Sequence, residues 1–427
     1  MASLITKVAV VATAATLLTL TGCSSDSGSS GDSGAAASEN ADGRGPITYV
    51  EGQDTTETGV VQQIISEWNS SHPDEQVTFK EQSADADQAH DDFVQQLQAQ
   101  QSDYDVMALD VVWTAEFAAK GWLVPLEGEF ALDNAGVLPA TVASATYNGK
   151  QYAAPKNTNG GLLYYRSDLL PEAPTTWAEL TEDCQVARDN NIDCYAGQFA
   201  PYEGLTANAS EIINAHGGSI VAEDGKTPTV NSPEAKAGLQ TLVTAFETGV
   251  IPAQDTTFKE SDSQQAFQDG KTLFLRNWPY VYGTAAEEGS AVVGKYAVAP
   301  LPGVTGVGTS TLGGYNAAIS AYSENKATAA DFLRFMQGEK AQRIIAEGAL
   351  PPVLSSLYDD PALIAAMPYL PALKASIENA VPRPVTPFYP AVSKAVQDNV
   401  SAAIKGEKSV DQAITDMQAG IETAGAN

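Results

Sequence analysis

The chain has 427 residues, and 53 acidic residues against 23 basic ones give it a net charge of -30. So negative a molecule repels phosphate backbones and anionic headgroups, which excludes nucleic acid and a charged membrane surface as favourable partners. Its three histidines, His72, His90 and His216, have no metal-ligand spacing, and the sequence predicts no cofactor.

The N-terminus has the pattern of an export signal. Lys7 precedes an apolar run over 8–20, which is shorter than the roughly 20 residues that cross a bilayer. The run ends at a four-residue stretch, LTGC, that resembles the bacterial lipobox, in which Cys23 becomes the first residue and carries lipid. We therefore predict a lipoprotein signal peptide over 1–22 and a disordered tether over 23–46, with membrane contact through the lipid alone. A plain secretory peptide with an incidental cysteine is the alternative.

Cys184 and Cys194 are the two cysteines left once Cys23 is assigned to lipid. Outside the cytoplasm such an even pair favours a disulfide that closes a short loop and stabilises the fold by about 2 to 3 kcal/mol. Two buried free thiols are the alternative.

The first folded segment alternates strand and helix patterns. β-type runs lie at 47–51, 77–80 and 104–109, and the last of these ends at Asp110. Between them, helical spacing places two sets of apolar residues on single faces. These sets are Val60, Val61, Ile64, Ile65 and Trp68, and then Phe93, Val94 and Leu97. The alternation predicts a parallel α/β sheet with helices on both faces.

Further along, the pattern indicates a second unit. The glycine-bearing stretch 155–161 leads into a new apolar run at 162–165, as expected where a chain leaves one sheet for another. Ser232 followed by proline predicts the start of a helix, and β-type runs follow at 272–275 and 296–299. The C-terminal third is predicted to be mostly helical. Since the chain exceeds the size of one hydrophobic core, we expect two lobes.

The chain lacks common catalytic motifs and has the residue types of a carbohydrate site. Gly306 and Gly308 lack the third glycine of a dinucleotide fingerprint, and no serine-hydrolase or zinc-protease motif is present. Carboxylates and amides instead alternate with aromatics at strand ends and loop starts, a combination typical of carbohydrate sites. The residues concerned are Glu57, Asp110, Asn159, Glu203, Trp278, Tyr280, Tyr315, Phe388 and Tyr389. The same residue types serve glycosidases, so composition leaves binder and enzyme open.

Together these segments resemble the extracellular solute-binding proteins of bacterial ABC sugar importers, in particular the trehalose/maltose-binding branch. The resemblance covers nearly all of 47–427. It is carried by the segments 105–113, 116–123, 159–166, 202–205, 276–280, 312–315 and 383–389. It implies an α/β, two-lobed periplasmic-binding-protein-like fold with a hinge and an interlobe ligand cleft. Lobe 1 would comprise 47–156 and 312–362, and lobe 2 would comprise 157–311 and 363–427.

The resemblance also implies roles for individual residues. Glu57 and Asp110 would accept hydrogen bonds from sugar hydroxyls, while Trp278 and Tyr315 would stack on two glucosyl rings. Asn159 stands where several relatives have aspartate, which weakens any inference about which disaccharide is bound.

Four further residues complete the expected ligand-binding set. Gly314 would let backbone approach the sugar, and Arg383 would donate to its oxygens unless it only forms a salt bridge. Glu203 belongs to a matching segment, and Gln88 is a polar contact in a helix start that aligns loosely.

The implied function is capture of an α-linked glucose disaccharide at the extracellular face of the membrane by a lipid-anchored monomer, which delivers it to an ABC permease. No bond would be made or broken. The alternative is a secreted glycoside hydrolase that uses two carboxylates such as Glu57 and Asp110.

Overall fold

The computed structural model describes residues 41–53, 59–83, 85–222, 224–348 and 350–426. The predictions for the signal peptide, Cys23 and Glu57 lie outside these residues. The strands are β1 (Ile47–Gly52), β2 (Val77–Gln82), β3 (Val106–Asp110), β4 (Thr146–Tyr147), β5 (Lys150–Gln151), β6 (Ala153–Gly160), β7 (Leu162–Arg166), β8 (Asp193–Ala196), β9 (Thr272–Asn277), β10 (Tyr296–Pro300), β11 (Ser310–Ile319) and β12 (Ala380–Pro382).

Helices cover both sheets and form most of the last third of the chain, as the sequence predicts. They are α1 (Val60–Ser71), α2 (Ala86–Gln98), α3 (Thr114–Ala119), α4 (Pro139–Ser144), α5 (Trp177–Asp189), α6 (Glu203–Ala215), α7 (Pro233–Glu247), α8 (Glu260–Gln268), α9 (Val281–Thr284), α10 (Lys326–Gln337), α11 (Glu339–Glu347), α12 (Pro361–Ala366), α13 (Leu370–Glu378), α14 (Tyr389–Ile404) and α15 (Val410–Gly425). Short 3-10 helices lie at Gly128–Phe130, Ala253–Thr257 and Ser355–Asp359.

The larger sheet has six strands in the order β12-β11-β3-β1-β2, with β6 also paired to β11. β1 is parallel to both β2 and β3, which confirms the parallel arrangement predicted for the first strands. β11 returns antiparallel between β3 and β6. On one side of the sheet α1 buries the predicted stripe of apolar residues, and on the other α2 buries Phe93 and Leu97. We call this sheet with its helices the large-sheet lobe.

The smaller sheet has four strands in the order β10-β7-β9-β8. The chain enters it at Gly161, between β6 of one sheet and β7 of the other, as the sequence predicts. A Cβ at this position would lie 2.6 Å from Glu211 Oε1, so a side chain cannot fit at the crossing. We call this sheet with α5 to α8, α14 and α15 the small-sheet lobe.

The core of the small-sheet lobe contains the predicted disulfide. Cys184 of α5 and Cys194 of β8 are bonded, with their Cα atoms 5.1 Å apart, and both lie among the buried apolar residues of this lobe. Ser232 caps α7 by accepting from the Ala235 amide, as its sequence signal predicts. The disulfide therefore ties the middle of α5 to β8.

The lobe bounds given in the sequence analysis remain a prediction. The strand order adds one detail to them, because β12 pairs in parallel with β11 at the edge of the larger sheet although 380–382 fall within the predicted second lobe. The chain therefore reaches the larger sheet once more before α14 begins.

Candidate functional site

Three neighbouring strands of the larger sheet bring predicted site residues together. Asp110 ends β3 and lies opposite Tyr315 of β11. On the other side of β11, Tyr315 faces Asn157, and Gly313 faces Asn159 of β6. Because these pairings are adjacent, the aspartate carboxylate, the tyrosine ring and the Asn159 amide belong to one patch at the sheet end. Burial, and then the nearby Asp110 charge, raise the pKa of the Tyr315 phenol, so this hydroxyl stays protonated at neutral pH.

Gly314 is required by the packing of two strands. Its φ is 111°, and a Cβ there would lie 2.3 Å from the Asn157 carbonyl oxygen and 2.6 Å from Thr158 Cα. The sequence assigned this glycine to a close approach of sugar. The structure gives a different reason for it, namely the close approach of β6.

Trp278 covers the neighbouring glycine from the other lobe. A Cβ on Gly313 would lie 3.2 Å from Trp278 Cζ3 and 3.3 Å from Asn159 Cβ. Trp278 follows directly after β9 of the smaller sheet, so its indole lies against the larger sheet at the junction of the lobes. Trp278 and Asn159, which the sequence assigned to sugar binding, therefore both lie close to Gly313.

One face of the Trp278 ring rests on a buried cation. The guanidinium carbon of Arg276 lies 4.0 Å from the ring centroid. Two side chains bind the Arg276 guanidinium. Glu211 Oε2 accepts from its Nε at 2.8 Å, and Gln198 Oε1 accepts from its Nη1 at 2.9 Å. No other aromatic ring in the described part of the chain stacks on Trp278. The indole is therefore fixed against the buried guanidinium by this cation-π contact.

Arg383 connects carboxylates from both lobes. It is 4% exposed, and its Nη2 donates to Asp110 Oδ1 at 2.9 Å while Nη1 donates to Glu203 at the start of α6. Burial opposes the charge, yet Asp110, Tyr389 and Glu203 raise the pKa of the Arg383 guanidinium. Arg383 therefore forms the salt bridge that was the alternative to sugar binding. Its Nε is buried without a hydrogen-bond partner among the described residues.

The carboxylates of Glu203 and Asp110 differ in how many of their oxygens already accept hydrogen bonds. Both oxygens of Glu203 are engaged, because Tyr389 also donates to Oε1 and Ser393 Oγ donates to Oε2 at 2.5 Å. Burial raises the pKa of Glu203, and the Arg383 charge opposes that shift. Asp110 uses Oδ1 for Arg383 and for the Val112 amide, while no hydrogen bond to Oδ2 is found within the described residues. Asp110 is therefore the better acceptor for a hydroxyl group.

One predicted residue does not join this cluster. Gln88 lies exposed in the first turn of α2, where its Oε1 accepts from Ser83 Oγ at 2.8 Å, and none of its hydrogen bonds leads to the residues above. Glu57 lies outside the described residues. Both assignments stay predictions.

The structure adds polar groups that the sequence did not single out. Lys156 is buried, donates to Glu51 and has its Nζ 5.9 Å from the Tyr315 ring centroid. Both polar atoms of the Gln82 side-chain amide are buried without a partner in the described part of the chain, at the carboxyl end of β2. No local signal marked either residue, because Lys156 lies within β6 and Gln82 ends a strand that is largely polar.

Two further features bear on the class of protein. Among the described residues there is no group of three or more histidine, cysteine, aspartate or glutamate side chains that could hold a metal ion. The described helices also include none that is both long and apolar enough to span a membrane.

Comparison with known proteins identifies the family. The family model described as bacterial extracellular solute-binding protein matches residues 52–343, which is more than half of the chain. The chain belongs to this family. Among relatives of this solute-binding protein, a "Probable ABC transporter-binding protein" of Deinococcus radiodurans is 37% identical over 308 residues, covering 69% of this chain and 73% of the relative. A "Maltotriose-binding protein" of Pyrococcus abyssi is 25% identical over 378 residues, covering 86% and 80% of the two chains.

Solved structures confirm the fold of this solute-binding protein. Maltose-bound MalE3 of T. maritima superposes with a TM-score of 0.81 at 34% identity, over 88% of this chain and 99% of that one. The GacH receptor of Streptomyces glaucescens, at 24% identity, gives a TM-score of 0.80 over 90% and 99%, and it supports the fold alone. The two-lobed α/β fold and the solute-binding family predicted from the sequence are therefore correct.

Proposed function

We propose that this solute-binding protein captures an α-linked glucose disaccharide of the maltose or trehalose type and delivers it to the permease of an ABC importer. One observation supports this most: at the junction of the lobes, Trp278 on its Arg276 support lies beside Asn159, and Arg383 links Asp110 to Glu203. A flat ring and charged acceptors in one patch match the apolar face and the hydroxyls of a pyranose. The names of the relatives, which mention maltotriose and maltose, agree with this ligand class.

The same geometry suggests how binding is coupled to movement. Asp110 and Asn159 belong to strands of the larger sheet, whereas Trp278 follows the smaller one. A sugar that contacts all three favours the closed arrangement of the lobes, because those contacts exist together only when the lobes meet. The closed form would then be the one that the permease recognises.

The proposal includes the place where the protein works. A monomer tethered through a lipidated Cys23 would hold the site near the permease at the outer face of the membrane. The support for this is the export signal and the lipobox-like stretch in the sequence.

Two measurements on one sample test the ligand and exclude the rival enzyme. Maltose and trehalose should raise the melting temperature, because a ligand that binds only the folded protein stabilises it by mass action, and mannitol serves as the acyclic control. After prolonged incubation the disaccharide should be recovered intact. Release of glucose would favour the glycoside hydrolase, and the absence of a shift with any α-glucoside would contradict the ligand class.

A further inference from the structure

A salt bridge between two residues that were not assigned to sugar binding joins the two lobes. Lys259 directly precedes α8 in the small-sheet lobe, and Asp85 directly precedes α2 in the large-sheet lobe. The Lys259 Nζ lies 2.7 Å from Asp85 Oδ2, although the two residues are 174 positions apart in sequence. Their side chains are 45% and 39% exposed, so the pair lies at a solvent-accessible rim.

Each partner is held in place by its own lobe. Asp85 caps α2, since its Oδ1 accepts from the Gln88 amide at 3.2 Å, which leaves Oδ2 for the lysine. The Lys259 ammonium lies 4.9 Å from the centroid of the Tyr202 ring. Each charge is fixed to its own lobe. A rotation that separates the lobes therefore also separates the two charges.

The surrounding charges favour the pair. The contact with Lys259 lowers the pKa of Asp85, and the contact with Asp85 raises the pKa of Lys259. Asp87, in the first turn of the same helix, adds a second negative charge that acts on the lysine. Tyr202, whose ring lies under the Lys259 ammonium, immediately precedes Glu203, which binds Arg383. The pair therefore lies beside the turn that supplies the interlobe contact of the site.

We propose that Asp85 and Lys259 form an interlobe latch that stabilises the closed arrangement and so raises sugar affinity without touching the sugar. The effect on affinity depends on the function proposed above, whereas the effect on lobe separation does not. A ligand that binds the closed form gains apparent affinity in proportion to the population of that form. Both residues are positioning residues in this account.

The size of the effect follows from the exposure of the pair. Solvent-exposed ion pairs contribute little, and loss of this one should weaken sugar binding by about two- to five-fold. Salt should reduce the difference, because exposed charges are screened within about 10 Å at moderate ionic strength.

Three variants and one control test the latch. Asp85→Asn removes the charge while its amide oxygen can still cap α2, and Lys259→Gln removes the partner charge. The third variant combines both changes. Lys150→Gln is the control, because Lys150 and Glu127 form a comparably exposed pair, 2.9 Å apart, within the large-sheet lobe. Maltose affinity is measured by calorimetry at low and at high salt, and the radius of gyration of the sugar-free proteins by small-angle scattering.

We expect each single change to weaken maltose binding by about two- to five-fold at low salt, with little further loss in the double variant, and an unchanged control. The sugar-free variants should have a larger radius of gyration than the wild type, and both differences should disappear at high salt. Fully additive losses, or equal radii in the wild type and the three latch variants at low salt, would overturn the latch. If the wild type binds no disaccharide, the proposed function fails, while the scattering comparison still decides the latch.

Discussion

Gly314 shows how one residue determines whether two strands can pack at the site. Its φ is positive, and a Cβ there would lie only 2.3 Å from the Asn157 carbonyl oxygen, which leaves no room for a side chain. Gly136 offers a matched case, since its φ is 77° and a Cβ there would have no neighbour within 4 Å. Comparing the two positions separates the cost of the backbone angle from the cost of the close contact.

We therefore predict that Gly314→Ala destabilises the protein more than Gly136→Ala, by at least about 1 kcal/mol in the free energy of unfolding. Gly136→Ala should lower the free energy of unfolding only by the cost of placing alanine at a positive φ. Urea unfolding of both variants measures the difference. Equal losses would show that β6 can move away from β11 at little cost.

Asp255 is a buried carboxyl with no cationic partner in the described part of the chain. It is 1% exposed, its Oδ2 has no hydrogen-bond partner among the described residues, and burial raises its pKa from 3.8 to about 8. A raised pKa means that the folded protein keeps a proton that the unfolded chain has lost. Stability attributable to this group therefore falls as the pH rises from the unfolded pKa towards the folded one.

Asp255→Asn should remove this pH dependence. Its stability relative to the wild type is expected to increase between about pH 5 and 7, by up to about 1.4 kcal/mol per pH unit. Asp224→Asn is the control, because the Thr227 hydroxyl lowers the pKa of Asp224 to about 2 and that carboxylate stays ionised throughout this range. A difference between Asp255→Asn and wild type that does not change with pH would show that Asp255 is already ionised when folded.

Within the small-sheet lobe, the disulfide joins the helix α5 to the strand β8. Cys184 and Cys194 are 10 positions apart and both are buried in the apolar core of that lobe. None of the residues that contact Asp110, Trp278 or Arg383 belongs to this link. The bond should therefore affect folding and leave the geometry of the site unchanged.

Replacing both cysteines by alanine should lower the free energy of unfolding by about 2 to 3 kcal/mol, because the unfolded chain gains freedom. Maltose affinity should stay within about two-fold of the wild type. Urea unfolding, with reductant added to the wild type as a second condition, measures the loss. If the urea midpoint of the wild type is the same with and without reductant, the disulfide does not stabilise the fold.

Elements with local patterns were predictable from the sequence. The stripe of α1, the capped start of α7 and the crossing at Gly161 all follow from residues that are close in the chain, and the structure confirms each. The spacing of apolar residues is enough to predict such elements, because it identifies the face that a helix or a strand buries.

Contacts between distant residues were not predictable in the same way. Glu211 and Arg276 are 65 positions apart, and Asp85 and Lys259 are 174 apart, so no periodicity links either pair. The cluster of Asp110, Trp278 and Arg383 was expected only through the resemblance to a family. Gly314 was assigned to a close approach of sugar, whereas in the structure it meets β6, because the sequence does not show which strand lies beside it.

At the level of the whole molecule, the two lobes meet at Trp278, at Arg383 and at the Asp85-Lys259 pair. In this account the first two bind sugar and the third affects how often the lobes are closed. The tryptophan is the sharpest test, because its ring supplies contact area that no neighbouring side chain can replace.

Calorimetric titration of maltose and trehalose into wild type, Trp278→Phe and Trp278→Ala is the measurement that tests the site most directly. We predict that the sugar that binds the wild type binds Trp278→Ala at least about ten-fold more weakly, a loss of about 1.4 kcal/mol or more, while Trp278→Phe keeps most of the affinity. The unliganded variants should melt close to the wild type. Unchanged affinity in a folded Trp278→Ala protein would contradict a sugar site between these lobes.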